Sequence, residues 1–100
     1  MLDQIKEKAA RFDQIEKLIQ DPGVLSQPAQ YAALMKERGQ LLKSVMPYKE
    51  LESVRQQKKD AQALLADPDM KAEAETEVAS LQKRESQLLA ALEELALSGD

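Results

Sequence analysis

The sequence contains no cysteine and no histidine. Without cysteine there is no disulfide and no thiolate metal site. Without histidine the chain lacks the commonest metal ligand and the side chain most often used as a general acid or base. A site built from carboxylates alone stays open, but the Asp and Glu residues fall mostly where a solvated helix face would place them. We therefore expect no enzyme, no metal centre and no cofactor within these 100 residues.

Aromatic residues and helix breakers are also scarce. The chain has one Phe, two Tyr, no Trp, three Gly and four Pro. A core must then be built mainly from Leu, Ile, Val, Met and Ala. The abundance of Ala, Leu, Glu, Lys and Gln is typical of long helices and coiled coils. Composition and length predict one all-α domain over residues 1–100.

Long apolar runs are missing as well. No stretch approaches the ~20 apolar residues that a membrane-spanning helix needs. The first ten residues are charged and contain no apolar segment of the kind found in a signal peptide. We expect a cytoplasmic protein with no membrane partner.

The net charge of −4 is unevenly distributed. Residues 36–60 carry seven Lys or Arg against four Asp or Glu, whereas residues 67–100 carry three against nine. The two segments could pack against each other, or the basic one could contact RNA. Domains that bind nucleic acid tightly are usually basic overall. The acidic total therefore favours packing between the segments.

Two Asp-Pro pairs, Asp21-Pro22 and Asp67-Pro68, divide the chain. Proline disfavours the helical conformation of the residue before it, so each pair should end a helix. Asp67 is also expected to cap the next helix, with Pro68 at its first position. The spacing of apolar residues predicts three helices. They cover about 2–20, 28–66 and 68–97, with a loop at 21–27 and a stop at Ser98-Gly99-Asp100.

Two residues inside the second helix are poor helix formers. Gly39 should cost about 1 kcal/mol relative to alanine, and we expect it to allow the close approach of a neighbouring backbone. Pro47 lacks the amide hydrogen and clashes with the preceding turn. Because the apolar stripe stays in phase across Pro47, we predict a kink rather than a loop.

Short connections make consecutive helices antiparallel neighbours. Pairing outward from the two connections places the first helix against about 28–46 of the second, and places Glu85 opposite Tyr48. Glu85 falls on the apolar stripe, where we expect a partly exposed side chain that reaches toward solvent. The predicted architecture is an antiparallel three-helix base from which a coiled-coil-like, kinked hairpin extends roughly 25 Å.

Several segments resemble one protein family. In chain order they are Leu2-Asp3-Gln4-Ile5, Asp21-Pro22-Gly23-Val24-Leu25-Ser26-Gln27-Pro28, Tyr31 with Leu34, Lys36-Glu37-Arg38, and the run from Asp67 to Ala74 that continues into Glu77-Val78. Their order and spacing resemble the N-terminal region of bacterial class I peptide chain release factors, of the type that reads UAA and UAG. The two Asp-Pro pairs are the most specific part. The resemblance covers nearly the whole chain.

This resemblance implies a role in translation termination, with residues 1–100 as the N-terminal part of a larger multidomain protein. In that family one loop reads the stop codon, and a Gly-Gly-Gln loop promotes hydrolysis of peptidyl-tRNA on the ribosome. Neither element is present here. Gly39-Gln40 lacks the second glycine and lies in a helical pattern, so the resemblance assigns it no catalytic role.

The resemblance also implies partners. The helical domain of these factors faces the stalk base of the large ribosomal subunit and is associated with the class II release factor. Nucleic acid would then be met only through the ribosome. The hairpin residues Arg55, Lys58, Lys59 and Asp69 are our candidates for this contact surface. The isolated domain should be a monomer or a weak dimer.

Two other functions remain open on the sequence. A free-standing coiled-coil adaptor or chaperone-like protein would clamp a partner helix and form oligomers through an exposed apolar stripe. The helical arm of an aminoacyl-tRNA synthetase would grip tRNA and requires a more basic face. A salt-sensitive affinity for tRNA would favour the arm.

Overall fold

The computed structural model describes residues 1–98, which form four α-helices and no strand in that range. The helices are α1 (Leu2–Leu18), α2 (Pro22–Leu25), α3 (Pro28–Leu64) and α4 (Lys71–Leu97). The long helix α3 packs against α1 and α4. At 37 residues it is about 55 Å long, which explains the 58 Å long axis of the molecule. The predicted all-α architecture is confirmed, while Gly99 and Asp100 of the predicted helix stop lie outside the described residues.

The first connection, predicted as a loop, contains the short helix α2. Asp21 caps it, since its Oδ1 accepts a hydrogen bond of 2.8 Å from the amide of Gly23. Pro22 at the first helical position has its φ angle already set for a helix. Val24 is buried. The same Asp-Pro pair that ends α1 therefore also starts a helical turn that packs onto α3.

Helix α3 runs without interruption through both of its poor helix formers. Pro47 does not divide the segment, in agreement with the apolar stripe that stays in phase across it. Our explanation of Gly39 is wrong, because a Cβ atom built there would meet nothing within 4 Å. Gly39 faces open space and is not required by any close backbone contact.

The second connection differs from the prediction at the start of α4. Residues 65–70 form turns, and the helix begins at Lys71 with Met70 as its N-cap. Asp67 does not cap α4: its Oδ1 accepts the amide hydrogen of Asp69 at 2.9 Å, and its carbonyl accepts that of Met70 at 3.1 Å. These two bonds hold residues 67–70 in a turn, so the helical run starts three residues later than predicted.

Two apolar clusters lie where α1 covers α3. The larger one joins α1, α3 and α4, and the smaller one joins α1, α2 and α3. The buried members of the larger cluster are Ile5, Ala9, Phe12, Val45, Tyr48, Leu51, Val54, Leu88 and Leu92. Those of the smaller cluster are Ile15, Val24 and Leu34. We call α1, α2, residues 28–55 of α3 and residues 81–97 of α4 the base.

The base reaches farther along α3 than predicted. Leu2 packs against the larger cluster and borders a crevice with Leu51, Arg55 and Lys59, so the cover of α1 does not end at residue 46. The predicted pairing assumed a plain loop between α1 and α3, whereas this connection contains α2, whose Val24 packs with Ile15 and Leu34. We call residues 56–80 the distal hairpin, in which α3 and α4 pack on each other.

Candidate interaction surface of the hairpin

A buried carboxylate lies where the base meets the distal hairpin. Glu85 of α4 is only 7% exposed. Its Oε2 accepts a hydrogen bond of 2.8 Å from Nε of Arg55, and its Oε1 accepts one of 2.6 Å from Nζ of Lys58. Nζ of Lys58 also donates to Oε1 of Gln82 at 2.9 Å. Two cations, one turn apart on α3, thus hold a single anion of α4.

These contacts determine the ionisation of Glu85. The hydrogen bond from Lys58, followed by the one from Arg55, holds the pKa of Glu85 below its ordinary value despite its burial. The carboxylate is therefore charged at neutral pH. Both of our expectations for Glu85 are wrong: the side chain is buried rather than reaching into solvent, and it lies beside Arg55 and Lys58 rather than opposite Tyr48. Two long side chains on α3 reach it and replace its lost hydration.

The four predicted contact residues do not form one continuous patch. Arg55 and Lys58 are both engaged with Glu85, and the side chain of Lys58 is only 20% exposed. Lys59 is exposed at the crevice beside Leu2. Asp69 is exposed in the turn, beyond the end of α3 at Leu64. Lys59 and Asp69 are thus the two candidates that do not bind Glu85, whereas Arg55 binds it with 46% of its side chain exposed.

A second ion pair joins α3 and α4 on the surface. Nε and Nη2 of Arg84 donate to the two carboxylate oxygens of Glu50 at 2.5 and 2.8 Å. This contact lowers the pKa of Glu50 and raises that of Arg84. Both side chains are nearly half exposed, so solvent screens the pair. The predicted pairing, with Glu85 opposite Tyr48, already placed Arg84 beside Glu50, but the sequence analysis did not name this ion pair.

Further ion pairs connect α1 with α3. They join Arg11 to Glu37, Glu16 to Arg38 and Asp13 to Lys49. Together with Glu85, they show that the basic segment of residues 36–60 finds anions on two helices. Packing thus accounts for four of its seven cations, Arg38, Lys49, Arg55 and Lys58, whereas the sequence analysis had weighed the acidic C-terminal segment and RNA as their partners.

Neither a metal site nor a membrane-spanning helix is found in residues 1–98. No group of three or more His, Cys, Asp or Glu residues there is placed to hold a metal ion. None of the helices in this range combines the length and apolarity needed to cross a membrane.

Comparison with known proteins decides the family. The model of the PCRF domain matches residues 8–100. The chain belongs to the PCRF domain family. This assignment confirms the resemblance to the N-terminal region of class I peptide chain release factors that the Asp-Pro segments indicated. The hairpin and its buried Glu85 are therefore features of a PCRF domain.

Three relatives of this PCRF domain carry the name peptide chain release factor 1. It is 36% identical over 100 residues to peptide chain release factor 1 of Deinococcus deserti. It is 30% identical over 103 residues to the protein of that name from Geobacillus kaustophilus, and 30% identical over 100 residues to that from Geobacter sulfurreducens. Each alignment covers all of this chain but only 27–29% of the relative. No solved structure matches it.

Proposed function

We propose that this PCRF domain is a non-catalytic domain of a peptide chain release factor that acts in translation termination at UAA and UAG codons. Membership of the PCRF family and the printed names of its relatives support the proposal. The three glycines are Gly23, Gly39 and Gly99, so the chain has no Gly-Gly-Gln sequence. Gly39-Gln40 lies within the continuous helix α3, which gives it no loop to enter a catalytic centre.

We further propose that the hairpin contacts the stalk base of the large ribosomal subunit or the class II release factor. The elongated shape supports this role, since the distal hairpin presents exposed charges of both signs, Lys59 and Asp69 among them. Arg55 and Lys58 contribute indirectly: their bonds to Glu85 stiffen the helix pair that presents those two charges.

A peptide-release assay tests the role of the whole domain. In release factor 1 of Deinococcus deserti, the segment that aligns with this chain is replaced by residues 1–100. The hybrid should release peptide from ribosomes stopped at UAA and UAG, and the isolated domain should release none. Release by the isolated domain, or an inactive hybrid that binds ribosomes normally, would argue against the proposal. The product of the complete source gene, assayed at all three stop codons, tests the codon specificity.

A charge exchange tests the contact surface. Lys59→Glu combined with Asp69→Lys reverses the charges of these two exposed candidates without changing the net charge. The control is Asp3→Lys combined with Lys36→Glu, which reverses two exposed charges on the base. We expect the first hybrid, but not the control, to dissociate more slowly from ribosomes in the presence of the class II factor, or to bind ribosomes more weakly. If the two hybrids behave alike, the distal hairpin is not part of the contact surface.

The oligomeric state of the isolated domain separates this proposal from a free-standing adaptor. A coiled-coil adaptor would associate through exposed apolar side chains, of which Met46 at 59% exposure is the largest on α3. A release factor domain should sediment as a monomer at micromolar concentration. A stable oligomer whose formation is abolished by Met46→Lys would favour the adaptor.

A further inference from the structure

We propose that the buried Glu85, held between Arg55 and Lys58, determines the register in which α3 and α4 pair. Most of the residues along this helix pair leave the register open. The apolar stripes of both helices repeat every three or four residues, and sliding one helix by a turn brings apolar residues opposite each other again. A buried charge at one position of the stripe is different, because it needs an opposite charge on the facing helix and finds one in only some registers.

The competing register is a specific one. If the connection were as short as the Asp67-Pro68 pair allows, pairing outward from it would place Glu85 opposite Tyr48. Tyr48 is buried with Val45 and Leu51 in the larger cluster. The carboxylate would then lose its bonds to Arg55 and Lys58 among apolar neighbours. A buried charge without a partner is strongly unfavourable, whereas apolar pairs are similar in either register.

The observed register satisfies the same charge. Arg55 and Lys58 occupy both oxygens of the carboxylate at 2.8 and 2.6 Å. No buried side-chain nitrogen or oxygen in residues 1–98 lacks a hydrogen-bond partner. In the competing register the carboxylate would lie at the level of Tyr48, roughly 10 Å along the helix axis from Arg55 and roughly 15 Å from Lys58. The turns at residues 65–70 supply the additional length in the connection.

The register of the distal hairpin can depend on Glu85 because its own buried side chains are small. Its two fully buried residues are Ala61 and Ala74, at 2% and 1% exposure. Alanine presents a single methyl group, which interlocks little with the facing helix. A pair of helices closed by small side chains slides more easily than one closed by large ones, so the distal hairpin does not fix its own register.

Distance measurements between spin labels test the proposal in the complete 100-residue chain. Because there is no native cysteine, labels attach only at introduced cysteines. Lys43→Cys and Ser80→Cys place them on exposed positions of α3 and α4, so that sliding α4 by one turn toward the competing register shortens their separation by about 5 Å. A second pair, Lys43→Cys with Gln57→Cys, lies within α3 and should not respond.

The decisive variant is Glu85→Leu, which completes the apolar stripe. We expect the distance distribution between α3 and α4 to broaden or to gain a shorter component, while helicity by circular dichroism is kept. Arg84→Ala is the matched control, since it removes an exposed ion pair between the same helices. A single, unchanged distribution in Glu85→Leu, or equal broadening in both variants, would overturn the proposal.

A charge inversion keeps the test decisive if Glu85→Leu fails to fold. Glu85→Lys alone places three cations together and should disrupt the native distribution. Combining it with Arg55→Glu and Lys58→Glu restores opposite charges across the helix pair. Recovery of the native distance in the triple variant would support the proposal, and failure of the triple variant to recover it while remaining helical would refute it.

Discussion

The base and the distal hairpin of this PCRF domain are stabilised in different ways. In the base, large apolar side chains from three helices meet, and Ile15, Val45 and Leu92 are fully buried. In the distal hairpin only two helices meet, and the fully buried residues are alanines. Between the two regions lies a buried charge cluster. The comparison shows that one continuous pair of helices can have a tightly packed end and an end whose arrangement depends on few contacts.

The largest expected effect is on the base. Leu92→Ala leaves a cavity in the cluster shared by α1, α3 and α4, and should lower the free energy of unfolding by about 3 kcal/mol. Urea denaturation followed by circular dichroism measures this change. The half-buried Val78 of the distal hairpin is the counterpart, and Val78→Ala should cost less than half as much. Equal losses would show that the two regions are packed alike.

Overpacking should act on the distal hairpin. Ala74 is 1% exposed, so Ala74→Leu forces α3 and α4 apart and should cost about 1–3 kcal/mol. Hydrogen exchange of backbone amides should accelerate in residues 56–80 more than in α1. The exposed Ala72 provides the control, because Ala72→Leu adds the same atoms in solvent. Acceleration throughout the molecule would contradict the division into two regions.

A pH dependence tests the buried charge. The pKa of Glu85 is lowered in the folded state, so its contribution to stability is complete above its ordinary pKa of about 4.3. That contribution is lost as the pH falls through the folded-state value. Glu85→Gln should cost about 1 kcal/mol at pH 7, and the difference from the unmodified protein should shrink below pH 4.

Comparison of the two proteins at each pH corrects for other carboxylates. Glu37 and Glu50 also have lowered pKa values in the folded state, through Arg11 and Arg84 respectively, and both are retained in Glu85→Gln. A stability difference that does not vary between pH 7 and pH 3 would show that Glu85 is not the charged partner of Arg55 and Lys58.

The smallest expected effect is a gain. Gly39 lies in a helix with open space around the position of its missing side chain. Gly39→Ala should therefore stabilise the base by about 0.5–1 kcal/mol, measured by urea denaturation. A loss of stability in the isolated domain would show that something approaches this backbone closely after all.

Short-range sequence patterns predicted where the helices lie better than they predicted how the helices contact each other. Apolar spacing indicated the three long helices, and the Asp-Pro pairs located both breaks. The start of α4 was placed three residues early, because the side chain of Asp67 bonds to the amide of Asp69 in a turn rather than capping the helix. Helix α2 was missed since four residues carry too little periodicity to show one.

The candidate surface was predictable only in part. The sequence singled out the hairpin cations and placed Glu85 on the apolar stripe, but it did not connect them. A buried acid on the stripe and two cations one turn apart on the facing helix were the available signal. Two registers of α3 and α4 were possible: one that follows from the shortest connection, and one that brings opposite charges together. Using the signal would have meant choosing the second register.

The sequence by itself determined the helical class, the number of long helices and the membership of the PCRF family. These depend on residues near each other in the chain: helix formers in phase, prolines at the breaks and a recurrent order of short segments. Only the tertiary structure decided how far α1 extends along α3, which register α4 adopts, and that Arg55 and Lys58 bind Glu85 while Lys59 and Asp69 face solvent. Helix contacts repeat every turn, so several registers satisfy the apolar pattern, and the choice among them falls to the few side chains that tolerate only one partner.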